Sequence, residues 1–378
     1  MQGFAIEAPP CILFGRGEAA RAPGLIAAFG PRGVLVHGAD FARADWLADA
    51  LPDVELMRWP CRGEPSLADL QEALGYAHAF DPHWVAALGG GAALDLGKAL
   101  AALIPAPGDP LDHLEGVGRA LPLAAPPLPF IALPTTAGTG AEVTKNAVIG
   151  LPEHGRKVSL RDPAMLARLA IVDPALTDHC PRAVTLASGL DAIVQVVEPF
   201  LSCRATPYTD ALTAPVLDKG LPALMRLMAA EDAQARDTMA LVSLTGGLAL
   251  ANAGLGVVHG LAGVIGGLTG APHGVICGAL FGPALAANRA ATEGTPCAPR
   301  MAQVLAALAP PLGCAPADVP KALALWARSA GLPGLSDMGL SEAAIPKVAE
   351  ASLAASSMKA NPVPLPRTVL ETLLLSAL

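Results

Sequence analysis

The chain has 378 residues, more than a single hydrophobic core usually supports, so two domains are expected. Hydrophobic residues make up 53% and charged residues 15%, which excludes a disordered chain, and a net charge of -8 without any run of Lys or Arg argues against a nucleic-acid partner. Seven cysteines, odd in number and without C-x-x-C spacing, give neither a disulfide framework nor a zinc knuckle and point to a reducing, cytoplasmic setting.

In chain order, the opening MQGFAIEAPPCILFGRG lacks the basic start and apolar core of a signal peptide, so none is expected. Up to about residue 175, β-branched runs alternate with helical stretches: residues 33–37 (GVLVH), 84–88 (WVAAL), 130–133 (FIAL) and 169–172 (LAIV). Such alternation predicts parallel strands in an open sheet. Residues 104–129, rich in Pro and Gly, read as a loop without chemistry of its own. From about Pro181 onward, Ala/Leu segments at helical spacing replace strand signals. The predicted architecture is an α/β domain on an open parallel sheet over residues 1–177, followed by an all-α domain over residues 178–378. The most apolar stretch, 246–287, is broken by Asn252, His259, His273 and Pro283, so no uninterrupted run reaches the roughly 18 residues of a membrane span, and no membrane partner is expected.

Three constellations carry chemistry. Residues 84–98 (WVAALGGGAALDLGK) run a buried strand into Gly89, Gly90 and Gly91 and then a helix bearing Ala92, Asp95 and Lys98. Glycines let backbone N–H groups approach a pyrophosphate, and a helix N-terminus adds partial positive charge; a bare glycine triplet is equally the chemistry of a plain tight turn. Residues 130–146 (FIALPTTAGTGAEVTKN) end a second strand in a cluster of Thr and Gly. Open α/β sheets bind ligands at the carboxyl ends of their strands, where both loops would lie. In the helical half, Asp191 and Gln195 share one helix face at i and i+4, and His259 and His273 follow. One carboxylate and two imidazoles can hold a divalent transition metal, although each histidine alone is more often a hydrogen-bonded core or cap residue.

In this order and over essentially the whole chain, these segments resemble the iron-containing (group III) alcohol dehydrogenase family. GGGAALDLGK is similar to its GGGS-x-x-D-x-x-K loop, PTTAGTGAEVT to its most specific motif, and NAGLGVVHG and APHG to two metal-ligand segments. The resemblance implies a small alcohol or aldehyde as substrate, a homodimer or larger assembly, and NAD or NADP lined by Gly38, Gly90, Gly91, Ala92, Asp95, Thr135, Thr136, Thr139, Asn146 and Lys157. It also implies a catalytic Fe2+ or Zn2+ held by Asp191, His259 and His273, acting as a Lewis acid on the substrate oxygen.

The sequence departs from the family at four points. The motif D-A-x-x-H-A-x-E reads Asp191-Ala-Ile-Val-Gln195-Val-Val-Glu198, so the fourth metal ligand is expected to be the Gln195 amide, a weaker and harder donor than the histidine it replaces. A frequent histidine one turn beyond the third ligand is Gly263, which excludes a proton relay through that side chain. The first strand ends Val36-His37-Gly38 where many relatives carry an acidic residue, so a 2′-phosphate meets no repulsion and NADPH is expected to be accepted. Leu250 stands where relatives often have an aromatic residue, which favours a short aliphatic substrate. Met358 and Lys359 are further candidates for the substrate region, against a solvent-facing lysine. Two other readings stay open: a metal-independent reductase similar to maleylacetate reductases, and a non-catalytic dinucleotide binder. A lyase of the dehydroquinate-synthase type would need more basic residues than are present.

Overall fold

A computed structural model describes residues 3–106 and 108–378. The chain divides into two compact units, one of residues 7–136 and 140–178, the other of residues 3–6, 137–139 and 179–378. In the first unit six strands form one parallel sheet: β1 (Ile12–Phe14), β2 (Arg32–His37), β3 (Glu55–Pro60), β4 (Trp84–Gly89), β5 (Phe130–Pro134) and β8 (Leu169–Val172), in the spatial order β1-β8-β5-β4-β2-β3. An antiparallel hairpin, β6 (Asn146–Leu151) with β7 (Arg156–Arg161), stands apart from it. The α/β class expected from the sequence holds, as does the helical second half.

Alternation along the strands decides the packing. Val34, Val36, Val85, Ala87, Phe130 and Ala132 face one apolar core, and Leu35, Trp84, Ala86, Leu88, Ile131 and Leu133 face the other. A sheet covered on both faces produces near-continuous apolar strands, which is why these runs are legible in the sequence. Each fully buried Val, Leu or Ile contributes about 1.5–3 kcal/mol relative to exposure.

The order also fixes where a ligand can enter. The chain passes from β2 outward to β3, then returns to the other side of β2 for β4, so strand order reverses between β2 and β4. Such a switch point opens a crevice beyond the strand ends. His37 pairs with Leu88, and Leu88 with Leu133, so these three strands end level with one another.

The second unit is helical. The Arg182–Leu201 helix packs mainly against Ala233–Ala253 and His273–Thr292, with Val257–Thr269 also against the last of these. Arg182–Leu201 and His273–Thr292 have the length and mean hydropathy of a membrane span, and 83% of the most apolar window of the first is buried in the protein. Neither reaches this by an unbroken apolar run: the first carries Asp191, Gln195 and Glu198, all buried, and the second begins at His273.

Candidate metal centre and dinucleotide loops

The glycine loop follows directly from the level strand ends. A Cβ added to Gly89 would lie 2.6 Å from the Ala93 Cβ and 3.4 Å from the backbone N of Gly38, so only glycine lets β4 turn into its helix here. Gly90 is the N-cap of Gly91–Leu103 and gives that helix no side-chain cap, which leaves the first-turn N–H groups for an anion. Gly90 faces Thr136, whose side-chain atoms would be 3.4 Å from a Cβ, and the Thr135 N–H donates to the Gly89 carbonyl at 2.9 Å. Gly38, Gly90, Gly91, Thr135 and Thr136 are thus brought to one end of the sheet.

The other residues expected at the dinucleotide lie around this loop in different ways. Asp95 accepts the Val148 N–H at 3.1 Å, and Lys98, fully buried, donates to Thr144 Oγ1 and the Asn146 carbonyl at 3.0 and 2.7 Å. These bonds fasten the loop helix to β6. Burial pushes the Asp95 carboxyl up to about 6, against the pull of Lys98. Ala92 is half-buried in the first turn of the helix, Asn146 opens β6, and Lys157 on β7 pairs with Glu64. Thr139 belongs to the helical unit.

The metal candidates converge. Asp191 comes from the Arg182–Leu201 helix, His259 from the first turn of Val257–Thr269, and His273 from the start of His273–Thr292. The ligand atoms of Asp191, His259, His273 and Cys277 all lie within 4.8 Å of one another. His259 Nε2 is 3.3 Å and His273 Nε2 3.8 Å from Asp191 Oδ1, and His273 Nε2 is 3.5 Å from Cys277 Sγ. Asp191 and Cys277 are 1% and 0% exposed, while the His273 side chain, 35% exposed, opens the centre on one side.

Glu198 sets the direction of His259. One of its oxygens accepts the Val258 N–H and the other lies 2.7 Å from His259 Nδ1. An ionised carboxylate only accepts, so Nδ1 carries a proton and Nε2 points at Asp191. Neither His259 Nε2 nor Asp191 Oδ1 has a hydrogen-bond partner, although both are buried. Two orphaned buried atoms facing each other would cost several kcal/mol, and a divalent cation removes that cost. The donor set therefore fits a metal. Burial opposes ionisation of Asp191, but the His273 and His259 rings hold its carboxyl below the ordinary range. Burial, then the Asp191 charge, pushes the Cys277 thiol up to about 12.

Gln195 is used differently. Its side-chain N–H donates to the Gly138 carbonyl at 2.8 Å, and Gly138 itself lies so close to Ser188 that a Cβ would come within 2.8 Å of the serine Cβ. Residues 137–139 are thereby held along the helix face that carries Asp191. Nothing lies within 4 Å of a Cβ built on Gly263, and Met358 packs on Gly260 while Lys359 is exposed. Cys277 escapes a reading of the cysteines by C-x-x-C spacing. The usable signal is His273-x-x-x-Cys277, which sets a thiol one helical turn from a ligand histidine. Glu198 stands within the D-A-x-x-H-A-x-E motif, and its role emerges only from the bond to His259.

A parallel-sheet unit with a glycine loop at its strand ends and a helical unit in which a carboxylate, two imidazoles and a thiol converge have the make-up of a nicotinamide oxidoreductase. The chain belongs to the iron-containing alcohol dehydrogenase family: residues 9–174 match the model of the iron-containing alcohol dehydrogenase and residues 185–378 that of the family's C-terminal domain. It is 31% identical over 277 residues to the probable alcohol dehydrogenase EutG of Escherichia coli, a match covering 71% of this chain and 69% of that protein. It is 40% identical over 192 residues to long-chain-alcohol dehydrogenase 1 of Geobacillus thermodenitrificans, covering 50% and 48%. The crystal structure of a 1,3-propanediol oxidoreductase superposes with a TM-score of 0.88 at 25% identity over 100% of both chains. The protein is an alcohol dehydrogenase of this family, acting on an alcohol and its carbonyl partner with a nicotinamide dinucleotide.

Proposed function

We propose that the protein interconverts a short aliphatic alcohol and its aldehyde or ketone by metal-assisted hydride transfer and accepts NADP(H), as a cytoplasmic homo-oligomer of two or more copies. The observation that carries the metal-assisted reading is the pair of buried, partnerless atoms, Asp191 Oδ1 and His259 Nε2, with Glu198 fixing the histidine from behind. Bound there, a divalent cation supplies a Lewis acid toward the substrate oxygen while the nicotinamide exchanges the hydride. Asp191 offsets the cation's charge in a site open only on the side of His273, His259 and His273 aim neutral nitrogens at it, and Glu198 fixes the tautomer. Gly263 contributes no proton relay, so the alcohol proton leaves through water or the cofactor ribose.

Acceptance of NADP(H) is supported at the end of β2. Gly38 has nothing within 4 Å of a Cβ, and His37 is turned inward against Phe41 with its pKa lowered by burial. A cavity of about 420 Å³ beyond β3 is lined by Arg58, Cys61 and Arg62 together with Asp69 and Glu72, and the Cys61 N–H donates to the His37 carbonyl. Two guanidiniums nearby, and no carboxylate at Gly38 itself, suit a 2′-phosphate. Seven free cysteines support a reducing compartment. For the substrate, Leu250 and an aromatic content of 4% leave little to stack on a ring.

Chelator-treated protein, assayed anaerobically with NADPH and NADH against a panel of short aldehydes before and after adding ferrous or zinc ion, tests the reading. Turnover only with metal supports it. Turnover without metal favours the metal-independent reductase, and dinucleotide binding with no turnover favours the binding-only protein.

A further inference from the structure

We infer that Cys277, and not Gln195, completes the metal-binding set, giving an Asp191–His259–His273–Cys277 centre. The inference rests on the reading of this cluster as a metal site and concerns which residues build it.

Two independent displacements lead to it. On the Arg182–Leu201 helix the position one turn beyond Asp191 holds an amide whose N–H is committed to the Gly138 carbonyl, so this side chain serves the Thr/Gly loop. On the His273–Thr292 helix the position one turn beyond His273 holds a thiol, 0% exposed, whose Sγ is 3.5 Å from His273 Nε2. Residues four apart on a helix share a face, so His273 and Cys277 act as a pair much as a carboxylate and a histidine would on the first helix. The partnerless Asp191 Oδ1 and His259 Nε2 face the same point.

Two of the edges between the four ligand atoms have the length a tetrahedral cation sets. A tetrahedral cation bonded at about 2.0–2.1 Å to nitrogen or oxygen and about 2.3 Å to sulfur separates an N,O pair by roughly 3.4 Å and an N,S pair by roughly 3.5 Å. The His259–Asp191 and His273–Cys277 edges are 3.3 and 3.5 Å. The His273–Asp191 edge, 3.8 Å, is longer and lies on the side where His273 is exposed, as an exchangeable further position would require. Charge agrees as well: a carboxylate and a thiolate together neutralise a dication in a buried site, where a carboxylate with three imidazoles leaves one positive charge. Coordination releases the thiol proton to solvent as the S–metal bond forms, with no change of oxidation state. A soft thiolate among imidazoles suits zinc and cobalt.

The test uses the full chain, stripped with chelator and reloaded with Co2+ or Zn2+ alone. The wild-type protein is expected to bind one equivalent, to show a near-ultraviolet thiolate-to-cobalt charge-transfer band, and to give a Zn–S distance of about 2.3 Å by X-ray absorption. Cys277→Ser should lose the band and bind zinc more weakly by more than the roughly 10–100-fold that removal of an outer hydrogen-bond partner costs. Gln195→Ala should keep the band and the stoichiometry. One equivalent of metal bound without sulfur, in the wild-type protein itself, overturns the cysteine assignment while leaving the metal reading standing. Folded protein that binds no metal overturns the metal reading and the assignment with it.

Discussion

The glycine loop and the candidate metal centre occupy different compact units and are built from opposite materials. The loop is made of backbone: Gly89 matters for the side chain it lacks, since a single added methyl there would collide with Ala93. The metal centre is made of side chains from three helices, and its quality depends on each one reaching a common point. Substitutions that remove atoms should therefore damage the second region, and substitutions that add atoms the first.

The largest effect is expected from Asp191→Ala. It removes the carboxylate that faces both histidine rings, and with it the one anionic oxygen donor of the candidate centre. A lost Lewis acid is worth several kcal/mol, so kcat/KM should fall by roughly three orders of magnitude or more. Steady-state aldehyde reduction, with folding checked by circular dichroism, measures it; unchanged turnover would refute metal-assisted chemistry and break the comparison. Next comes Glu198→Ala, which frees the His259 ring and orphans the Val258 N–H. Metal affinity should drop about 10–100-fold, with kcat largely restored at saturating metal. A Glu198 variant that binds metal as tightly as the parent would show that His259 is aimed by packing alone.

The loop region has one buried ionisable support that neutralisation should improve. Burial pushes the Glu142 carboxyl from an ordinary value of 4.5 up to about 7, partly opposed by Lys98. Its folded pKa exceeds its unfolded one, so the native state holds a proton the unfolded chain would release. The stability tied to that proton is complete below about pH 4.5 and is lost as the pH rises through 7. Glu142→Gln keeps a neutral group at every pH. Its Tm should match the parent near pH 4 and exceed it above pH 7, where the variant gains on the order of 3 kcal/mol in unfolding free energy. A variant less stable than the parent at pH 8 would mean that the Lys98 charge needs Glu142 more than burial disfavours it.

How much of this was legible in the sequence follows the same division. Strands β2, β4, β5 and β8, apolar on both faces, stood out as uninterrupted runs, and the glycine and threonine loops follow two of them directly. β3 gives no such signal because, as a sheet edge with Arg58 and Pro60, it carries polar residues and no fully buried position. β1 is three residues long, and the β6–β7 hairpin alternates in burial away from the main sheet. In the metal centre the residues Asp191, His259 and His273 were readable from local motifs. The place of Cys277 beside them is not readable, because neither that proximity nor the turn of the Gln195 side chain toward Gly138 has a local signature.

The smallest expected effect gives the finest test of the backbone-built region. Gly38→Asp adds a carboxylate where the strand ends and nothing lies within 4 Å, so the fold should accept it with Tm unchanged. The new charge would repel a 2′-phosphate and accept hydrogen bonds from a free ribose, shifting the ratio of NADPH to NADH dissociation constants toward NADH by about tenfold, or roughly 1.4 kcal/mol. Fluorescence titration of both dinucleotides against parent and variant measures the shift. A parent that binds NADPH far more weakly than NADH would end the NADP(H) reading. A parent that prefers NADPH together with a variant that shows no shift would move the phosphate contact away from Gly38 to the Arg58 and Arg62 cavity, where deletion of a side chain would again be the damaging change.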